Sequence, residues 1–199
     1  MSTQKKILTI AIEILRKNGY HSTSMNMISK ECCISKGNLT YHYPTKEELF
    51  KACINVSSSY FKKNVFLPSF EKNNNELEGL INFFKNVKTW LYWDNKVIGC
   101  VFSNTALELR HINPELADIP LFCLREFKVM IKEKIEQGQK NGNISIRESS
   151  EDITEDIFLG YQGAMIYSRI ENSLSYFDLF IEKTYKYLRV NQDSKKLLF

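Results

Sequence analysis

Residues 24–50 read SMNMISKECCISKGNLTYHYPTKEELF, and this stretch decides the fold. Ser24 and Ser35 are residue types typical of helix N-caps, so a short helix is expected to begin at each of them. The turn Cys32-Cys33-Ile34 separates the two helices, and Pro44 ends the second one because proline disfavours helical geometry in the residue before it. Two short helices joined by a tight turn predict a helix-turn-helix, whose second helix enters the major groove of DNA.

Helical periodicity also dominates the chain on either side of this stretch. A first amphipathic helix is expected over about residues 3–18, ending at Gly19, a residue type that favours the left-handed conformation at helix ends. Glycine and proline are few, eight and four, and strand-like alternation is nearly absent. The later helices are expected at about 45–66, 76–93, 99–110 and 114–141, then from Ser150 and from Ser175 to about Arg189. The sequence therefore predicts an all-α protein of about nine helices.

The second helix of the motif carries the residues that suit DNA contact. Ser35 and Lys36 fit phosphate groups, and Gly37 lets the backbone approach the duplex closely. Leu39 and Tyr43 are interpreted as inward-facing packing residues. The candidate DNA-binding residues of this segment are Ser35, Lys36, Gly37, Asn38, Thr40, Tyr41, His42 and, beyond Pro44, Lys46. On periodicity alone, a small helical hairpin with a polar outer face fits equally well.

The distribution of charge favours the DNA-binding interpretation. The chain carries 27 Lys and Arg against 23 Asp and Glu, a net charge of +4. Residues 1–51 hold eight of the basic residues and only four of the acidic ones, and the remaining residues are balanced. The excess positive charge lies in the first quarter of the chain, as expected if that quarter faces a polyanion. A solvated basic face is the alternative.

Residues 34–50, ISKGNLTYHYPTKEELF, resemble the recognition-helix signature of the TetR family of repressors. The matching residues are Ser35, Lys36, Gly37, Leu39, His42, Lys46, Glu47 and Leu49, with conservative Ile34 and Tyr43. Upstream, the Gly19-Tyr20 turn, the Thr23-Ser24 cap and Ile28 fall at the family's spacing, which adds Thr23 and Ser24 to the candidate DNA-binding residues. The resemblance covers about 50 residues.

Two residues depart from the family's pattern. Thr40 stands where the family usually has a tyrosine that touches the DNA backbone. Cys33 occupies the turn position usually held by glycine, where a positive φ would cost a non-glycine residue around 1 kcal/mol. We expect the motif to survive both changes, with an altered set of contacts at Thr40.

The resemblance implies a helix-turn-helix DNA-binding domain over residues 1–48 and a helical domain for ligand binding and dimerisation over 49–199. It also implies that the last two helices pair with those of a second copy as a four-helix bundle. Small residues on one of these helices and an apolar stripe on the other agree with such a pairing. The candidate interface residues are Gly160, Gly163, Ala164, Phe177, Phe180, Ile181 and Thr184. Packing within the core of one protomer is the alternative.

Aromatic residues are frequent in the predicted regulatory domain, and they suit a small-molecule effector that is apolar or aromatic. The candidate ligand-binding residues are Trp90, Trp93, Cys100, Phe102, Phe122 and Tyr161. Most of these side chains would otherwise fill the core. Cys100, near the start of a helix, is a candidate thiol sensor of oxidants or electrophiles or else an inert buried cysteine. Glu108 fits a positively charged partner, either a ligand or the region around Arg110.

The sequence argues against several other classes of protein. It has no nucleophile elbow, no phosphate-cradling glycine loop and no histidine with an obvious acid partner, so an enzyme is not expected. The five cysteines and three histidines suit no metal site, and no cofactor is expected. No apolar segment is long enough to cross a membrane, and no signal peptide is visible, so a cytoplasmic bacterial protein is expected.

Together these features predict a transcriptional repressor. It would bind palindromic operator DNA as a homodimer, with no membrane partner, and a small-molecule inducer would release it. A DNA-binding regulator without a ligand, or a Cys100 thiol sensor on the same fold, are the alternatives.

Overall fold

The computed structural model describes residues 2–71, 75–93 and 95–189. In these ranges the chain forms ten α-helices, one π-helical turn (Lys62–Phe66) and one small hairpin. The helices are α1 (Thr3–Asn18), α2 (Met25–Glu31), α3 (Lys36–His42), α4 (Lys46–Phe61), α5 (Pro68–Glu71), α6 (Glu76–Trp90), α7 (Val101–Leu109), α8 (Pro114–Lys140), α9 (Ser150–Ile170) and α10 (Ser175–Leu188). The strands are β1 (Tyr92–Trp93) and β2 (Lys96–Val97). The predicted all-α class and the N-terminal helix-turn-helix are confirmed.

Two predicted helices are shorter than expected. The helix predicted to reach residue 66 ends at Phe61 and gives way to the π-helical turn. Pro68 then opens α5, because the ring of proline suits the first helical position. The helix predicted to reach residue 93 ends at Trp90, and the next residues form an antiparallel hairpin in which Tyr92 pairs with Val97. Asn95 supplies the positive φ of 58° that the hairpin turn uses.

The chain forms two compact units. The first consists of the residues up to Phe61 together with Ile98–Leu124, and the second of Lys62–Val97 together with the residues from Arg125 onward. Helix α8 contributes its first part to one unit and the rest to the other. Compactness describes packing and not independent function, so the predicted division after residue 48 stays a prediction.

The core of the first unit comes from one face of α1 and the inner sides of α2, α3 and α4. Ile7 and Ala11 of α1 are fully buried, as are Leu39 of α3 and Ile54 of α4. Burying a side chain such as Leu39 contributes roughly 2 kcal/mol to stability. The apolar spacing of α1 therefore supports the helix-turn-helix, as the sequence predicted.

The second unit is built around a cluster of aromatic rings from α6, α9 and α10. The ring of Phe84 lies 4.9 Å from that of Phe180 and 5.7 Å from that of Tyr161, measured between centroids. Tyr161 also packs against Phe177, at 5.9 Å. These tilted and edge-to-face contacts stabilise the unit beyond the contribution from burying the rings. Within the described ranges, no helix combines the length and apolarity that a membrane crossing requires.

Candidate DNA-binding site

Two serine hydroxyls cap the helices of the motif. The Met27 amide donates to Ser24 Oγ at 3.1 Å, and the Asn38 amide donates to Ser35 Oγ at 3.1 Å. Each hydroxyl acts as an acceptor in its cap, so its own proton can still be donated to another group. Both residues are exposed. They can therefore hold their helices in place and donate to a phosphate oxygen at the same time.

The turn between α2 and α3 contains a strained cysteine. Cys33 has a φ of 54°, and its amide donates to the Lys30 carbonyl oxygen at 2.9 Å. The next amide, that of Ile34, donates to the Ser29 carbonyl oxygen at 3.0 Å. Cys33 thus has a positive φ, which costs a residue with a side chain around 1 kcal/mol.

The outer face of α3 is open to solvent. Lys36, Gly37 and Asn38 are exposed, and 84% of the surface of Tyr41 is accessible. A Cβ atom added to Gly37 would meet only Ser35 Oγ, at 3.9 Å, so nothing in the free protein requires glycine there. Leu39 is buried, as is Tyr43 beyond the end of α3, which matches their predicted packing role.

Thr40 and His42 are half-buried at the edge of this face. The Thr40 hydroxyl lies 3.1 Å from the carbonyl oxygens of both Lys36 and Gly37 and donates to the backbone of its own helix. The His42 ring meets the Tyr41 ring edge-on, with centroids 5.3 Å apart. In the free protein the Thr40 hydroxyl proton is therefore directed at the backbone of α3 and not at solvent.

Two predicted contact residues, Thr23 and Lys46, contact other parts of the protein in the structure. Thr23 is 2% exposed, and its hydroxyl donates to the Gly19 carbonyl oxygen at 2.7 Å, so its side chain braces the turn instead of facing outward. The Lys46 ammonium lies 4.1 Å from the centroid of the Tyr20 ring. Burial lowers the pKa of Lys46, while the carboxylates of Glu47 and Glu108 oppose that change. Lys46 is therefore already engaged within the protein.

Tyr20 connects three parts of the first unit. Its hydroxyl donates to Glu47 Oε1 at 3.0 Å, its ring meets Phe50 at 5.0 Å, and its amide donates to Glu108 Oε2 at 2.5 Å. Burial raises the pKa of Tyr20 to about 12, and the hydrogen bond to Glu47 adds to the effect. Arg110 pairs with Asp118 at 2.9 Å and not with Glu108, whereas a positively charged ligand as the partner of Glu108 stays a prediction. No sequence pattern marks a contact between residues 88 positions apart.

The predicted ligand-binding residues are divided between the two units. In the second unit, Trp90 is half-buried at the end of α6 and Tyr161 lies in the aromatic cluster. The backbone of Trp93 lies in β1, and its side chain is outside the described part of the structure. In the first unit, Phe102 is buried with its ring 6.5 Å from that of Phe61, whereas Phe122 is exposed. Their role in binding a ligand stays a prediction.

Cys100, the remaining member of this set, stands at the N-cap position of α7. Burial raises the pKa of its thiol, although hydrogen bonds from Ser103 and Phe102 and the nearby charge of Arg16 oppose the change. The net direction keeps the sulfur protonated at neutral pH. Since the thiolate is the reactive form, this direction opposes the sensor, but Cys100 is only partly buried and the choice between the two interpretations stays a prediction.

Most of the predicted dimer residues border one surface groove between α9 and α10. Five of them line it: Gly160, Gly163, Ala164, Phe180 and Thr184. Ile181 is buried beside a different depression, next to α6, and Phe177 is completely buried in the aromatic cluster. For Phe177 the alternative interpretation, packing within one protomer, is therefore correct.

The sequence analysis missed the apolar side chains that project outward from the same two helices. Leu159 and Ile170 of α9 are each 66% exposed, and Leu179 of α10 is 46% exposed. Ile166, Tyr167 and Tyr176 are exposed as well. Leu159, Tyr176 and Leu179 each stand next in sequence to a residue that the sequence analysis selected, but they face solvent. We call Leu159, Ile166, Tyr167, Ile170, Tyr176 and Leu179 the outer apolar face.

Two glycines in helices have room for a side chain. An added Cβ at Gly163 would have no atom within 4 Å, and one at Gly37 only Ser35 Oγ at 3.9 Å, whereas at Gly79 and Gly138 it would collide with Phe70 and Ile144. Gly37 lies on the predicted DNA-binding face and Gly163 in the groove between α9 and α10. Among the described residues, no group of three or more His, Cys, Asp or Glu side chains could hold a metal ion.

Two family models match the chain. Residues 7–53 match the model described as bacterial regulatory proteins, tetR family. Residues 77–184 match the model of a tetracyclin repressor-like C-terminal domain. The second match alone covers more than half of the chain, and the first includes the whole helix-turn-helix described above.

Curated relatives match mainly in the first unit. The chain is 43% identical over 63 residues to the HTH-type transcriptional regulator QacR of Staphylococcus aureus, which is 32% of this chain and 34% of that protein. The match thus spans about a third of that relative. Similarity to the regulator LmrA of Bacillus subtilis is 26% identity over 136 residues, covering 68% of this chain and 72% of LmrA. The negative transcriptional regulator IcaR of the biofilm operon icaADBC in Staphylococcus epidermidis is 35% identical over 78 residues, 39% of this chain and 41% of IcaR.

Solved structures share the fold at low sequence identity. A transcriptional regulator of the TetR family from Agrobacterium tumefaciens superimposes with a TM-score of 0.86 at 16% identity, covering 94% of this chain and 98% of that one. The reduced form of NemR from E. coli gives a TM-score of 0.84 at 11% identity, covering 96% of this chain and all of that one.

Proposed function

The chain belongs to the tetR family of bacterial regulatory proteins, and from that membership we propose that it is a repressor released from operator DNA by a small molecule. Its relatives are transcriptional regulators with a helix-turn-helix, and not enzymes. The chain is accordingly a helix-turn-helix transcriptional regulator. Repression, operator recognition as a dimer and response to an inducer are the proposed parts.

The observation that carries the proposal is the outer face of α3. It presents an ammonium group, an amide and a phenol from Lys36, Asn38 and Tyr41, beside a glycine that the free protein does not require. Ser24 and Ser35 add hydroxyl protons at two helix starts, where exposed backbone amides also favour a phosphate. A face of this composition fits the major groove, with phosphate contacts setting the register and base contacts giving specificity.

Dimerisation is supported by the outer apolar face. A protomer alone would leave these side chains in water. Tyr167, Tyr176 and Leu179 also line the groove between α9 and α10, and apolar surface gathered in this way marks an interaction site. A second copy offers the same surface and can cover it through two-fold symmetry. Two recognition helices related by a two-fold axis would read a palindrome with half-sites about one turn of DNA apart.

The proposed effector is apolar or aromatic. The second unit is rich in aromatic rings, and the cluster around Tyr161 shows how closely they gather in its core. Such rings suit a planar or cationic organic molecule. The effector would bind the DNA-free conformation better than the DNA-bound one, and that difference in affinity would lower the occupancy of the operator.

Operator binding can be tested without knowing the target genes. Duplexes that bind the purified protein are selected from fragments of the source genome and measured by fluorescence anisotropy against random duplex. We expect a palindromic sequence bound at two protomers per site, in preference to random DNA by about a thousandfold. Equal affinity for both duplexes would contradict the DNA-reading role. A reporter gene placed behind the selected sequence should be expressed less when the protein is present.

The effector can then be sought with the same complex. A panel of planar aromatic compounds, neutral and cationic, is screened for loss of anisotropy from the labelled operator. Displacement that saturates with compound concentration supports the ligand-responsive repressor. A protein that no compound class displaces, and that binds none of them in the absence of DNA, would instead be a DNA-binding regulator without a ligand.

A further inference from the structure

We propose that Glu108 is a positioning residue for DNA binding, and that its carboxylate holds the turn between α1 and α2 in the conformation that the helix-turn-helix requires. The proposal rests on the proposed DNA-binding function. Glu108 lies in α7, outside the motif, and no contact with DNA is assigned to it. It would act through Gly19 and Tyr20.

The turn accommodates this carboxylate closely. The Tyr20 amide donates to Glu108 Oε2 at 2.5 Å. Gly19 has a φ of 77°, and a Cβ atom there would lie 2.3 Å from Oε1 and 2.6 Å from Oε2 of Glu108. Glycine is therefore required at this position for two reasons: its positive φ, and the space that the Glu108 carboxylate occupies.

A single peptide group is held on both sides. The amide of Tyr20 and the carbonyl of Gly19 belong to the same peptide unit, and the carbonyl oxygen accepts the Thr23 hydroxyl at 2.7 Å. The Thr23 amide also donates to the Tyr20 carbonyl oxygen at 3.1 Å. The next residue, Ser24, is the N-cap of α2. A continuous set of hydrogen bonds therefore runs from Glu108 to the start of α2, and such bonds strengthen one another.

The side chain of Tyr20 extends this support to α4. Its hydroxyl donates to Glu47, in the first turn of α4, and Lys46 of the same turn lies over its ring. Helix α4 begins four residues after the end of α3, so both neighbours of the recognition helix are tied to Tyr20. A binding face keeps its geometry only if the groups beneath it are fixed, and Glu108 fixes Tyr20.

A competing role for Glu108 predicts the opposite result. The carboxylate also acts electrostatically on Lys46, a candidate phosphate contact. If its main effect were to draw Lys46 away from DNA, removing the charge would strengthen binding. If Glu108 positions the turn, removing its oxygen atoms weakens binding, and glutamine, which keeps an oxygen acceptor, restores most of it.

The experiment compares Glu108→Ala, Glu108→Gln and the wild type on one selected operator duplex and on random duplex. Glu115→Ala is the matched control, since it removes the same charge from an exposed site in the first turn of α8. Hydrogen exchange of the Tyr20 amide is followed by NMR in protein labelled with 15N-tyrosine, in the absence of DNA. The thermal midpoint of each variant reports on folding.

We expect Glu108→Ala to lose about tenfold in operator affinity, the size expected for a charge-assisted hydrogen bond, with binding to random duplex unchanged. Its Tyr20 amide should exchange faster. The operator affinity of Glu108→Gln should stay within about threefold of that of the wild type, and the affinity of Glu115→Ala should equal that of the wild type. Equal affinity in all variants, or tighter binding by both Glu108 variants, would overturn the proposal.

The two hypotheses fail in different ways. If the wild type does not prefer the selected duplex to random DNA, the proposed function is wrong, whatever the Glu108 variants do. If the wild type binds selectively and Glu108→Ala binds equally well, only the role of Glu108 is wrong. A fall in the thermal midpoint of Glu108→Ala that Glu108→Gln shares, without rescue of binding, would mark a purely structural role and also overturn the proposal.

Discussion

At the scale of single residues, Gly37 is a glycine that folding does not require but that DNA binding would. The free protein has room for a methyl group at this position, and glycine inside a helix is destabilising relative to alanine. A residue that costs stability and fills no steric need within the chain indicates a partner that approaches from outside. The same reasoning applies to Gly163 in the groove between α9 and α10.

Gly37→Ala should therefore stabilise the protein and weaken its binding to DNA. We expect the free energy of unfolding to rise by about 0.5–1 kcal/mol, because alanine favours the helix. Operator affinity should fall by about tenfold or more, since the added methyl group would stand between the backbone of α3 and the duplex. Chemical denaturation and anisotropy measure the two effects. A variant that is more stable and binds equally well would show that α3 does not approach DNA at this residue.

Cys33→Gly should remove backbone strain. The φ of 54° costs cysteine around 1 kcal/mol and glycine almost nothing, although glycine also gains freedom in the unfolded chain. We expect a net rise of about 0.5 kcal/mol in the free energy of unfolding, measured by urea denaturation. Cys33→Ala serves as control, because it removes the sulfur and keeps the strain. If Cys33→Ala raised the free energy of unfolding as much as Cys33→Gly does, the loss of the sulfur and not the relief of strain would explain the stabilisation.

At the scale of helices, the sequence predicted the boundaries around the helix-turn-helix, where the signals are local, but not the ends of α4 and α6. Ser24 and Ser35 predicted the starts of α2 and α3, and Gly19 predicted the end of α1, because caps act within a few residues of themselves. The contact between Tyr20 and Glu108 could not be predicted in this way. It depends on α7 being placed beside the turn by tertiary packing, for which no periodicity is a signal.

The outer apolar face shows a second limit of sequence patterns. The stripe of α10 that includes Phe177 and Phe180 was correctly identified as apolar, but both residues are buried in the protomer. Leu179, between them in sequence, points outward. A helix that is apolar on more than one side gives no indication of which side meets its own core and which a second copy.

Tyr20 links the turn after α1 to α4 through a hydroxyl that should stay protonated to high pH. Its pKa is raised from 10.0 to about 12, so the protonated form is favoured by folding. This contribution to stability is complete below pH 10 and is lost as the pH rises from about 10 to about 12. We expect the free energy of unfolding of Tyr20→Phe to fall less steeply over this interval than that of the wild type, as measured by urea denaturation at successive pH values. Parallel curves would contradict the raised pKa.

At the scale of the whole molecule, the outer apolar face should control assembly. Leu179→Arg places a charge within it, and burying that charge against a second copy is unfavourable. We expect a monomer by light scattering, and a loss of operator affinity of a hundredfold or more because only one half-site is held. Val129→Arg is the control, since Val129 is also an exposed apolar residue, on α8. A dimeric Leu179→Arg variant would place the interface elsewhere.

The exposed side chains on α9 and α10 also bear on how long the protein persists in a cell. In the proposed dimer these side chains would be covered, whereas an unpaired protomer would leave them open to chaperones and proteases that bind apolar surface. Scarce protomers would thus be removed faster than abundant ones. While most chains are unpaired, doubling the number of chains raises the number of dimers about fourfold. Occupancy of the target DNA would therefore rise more than twofold when the number of gene copies doubles.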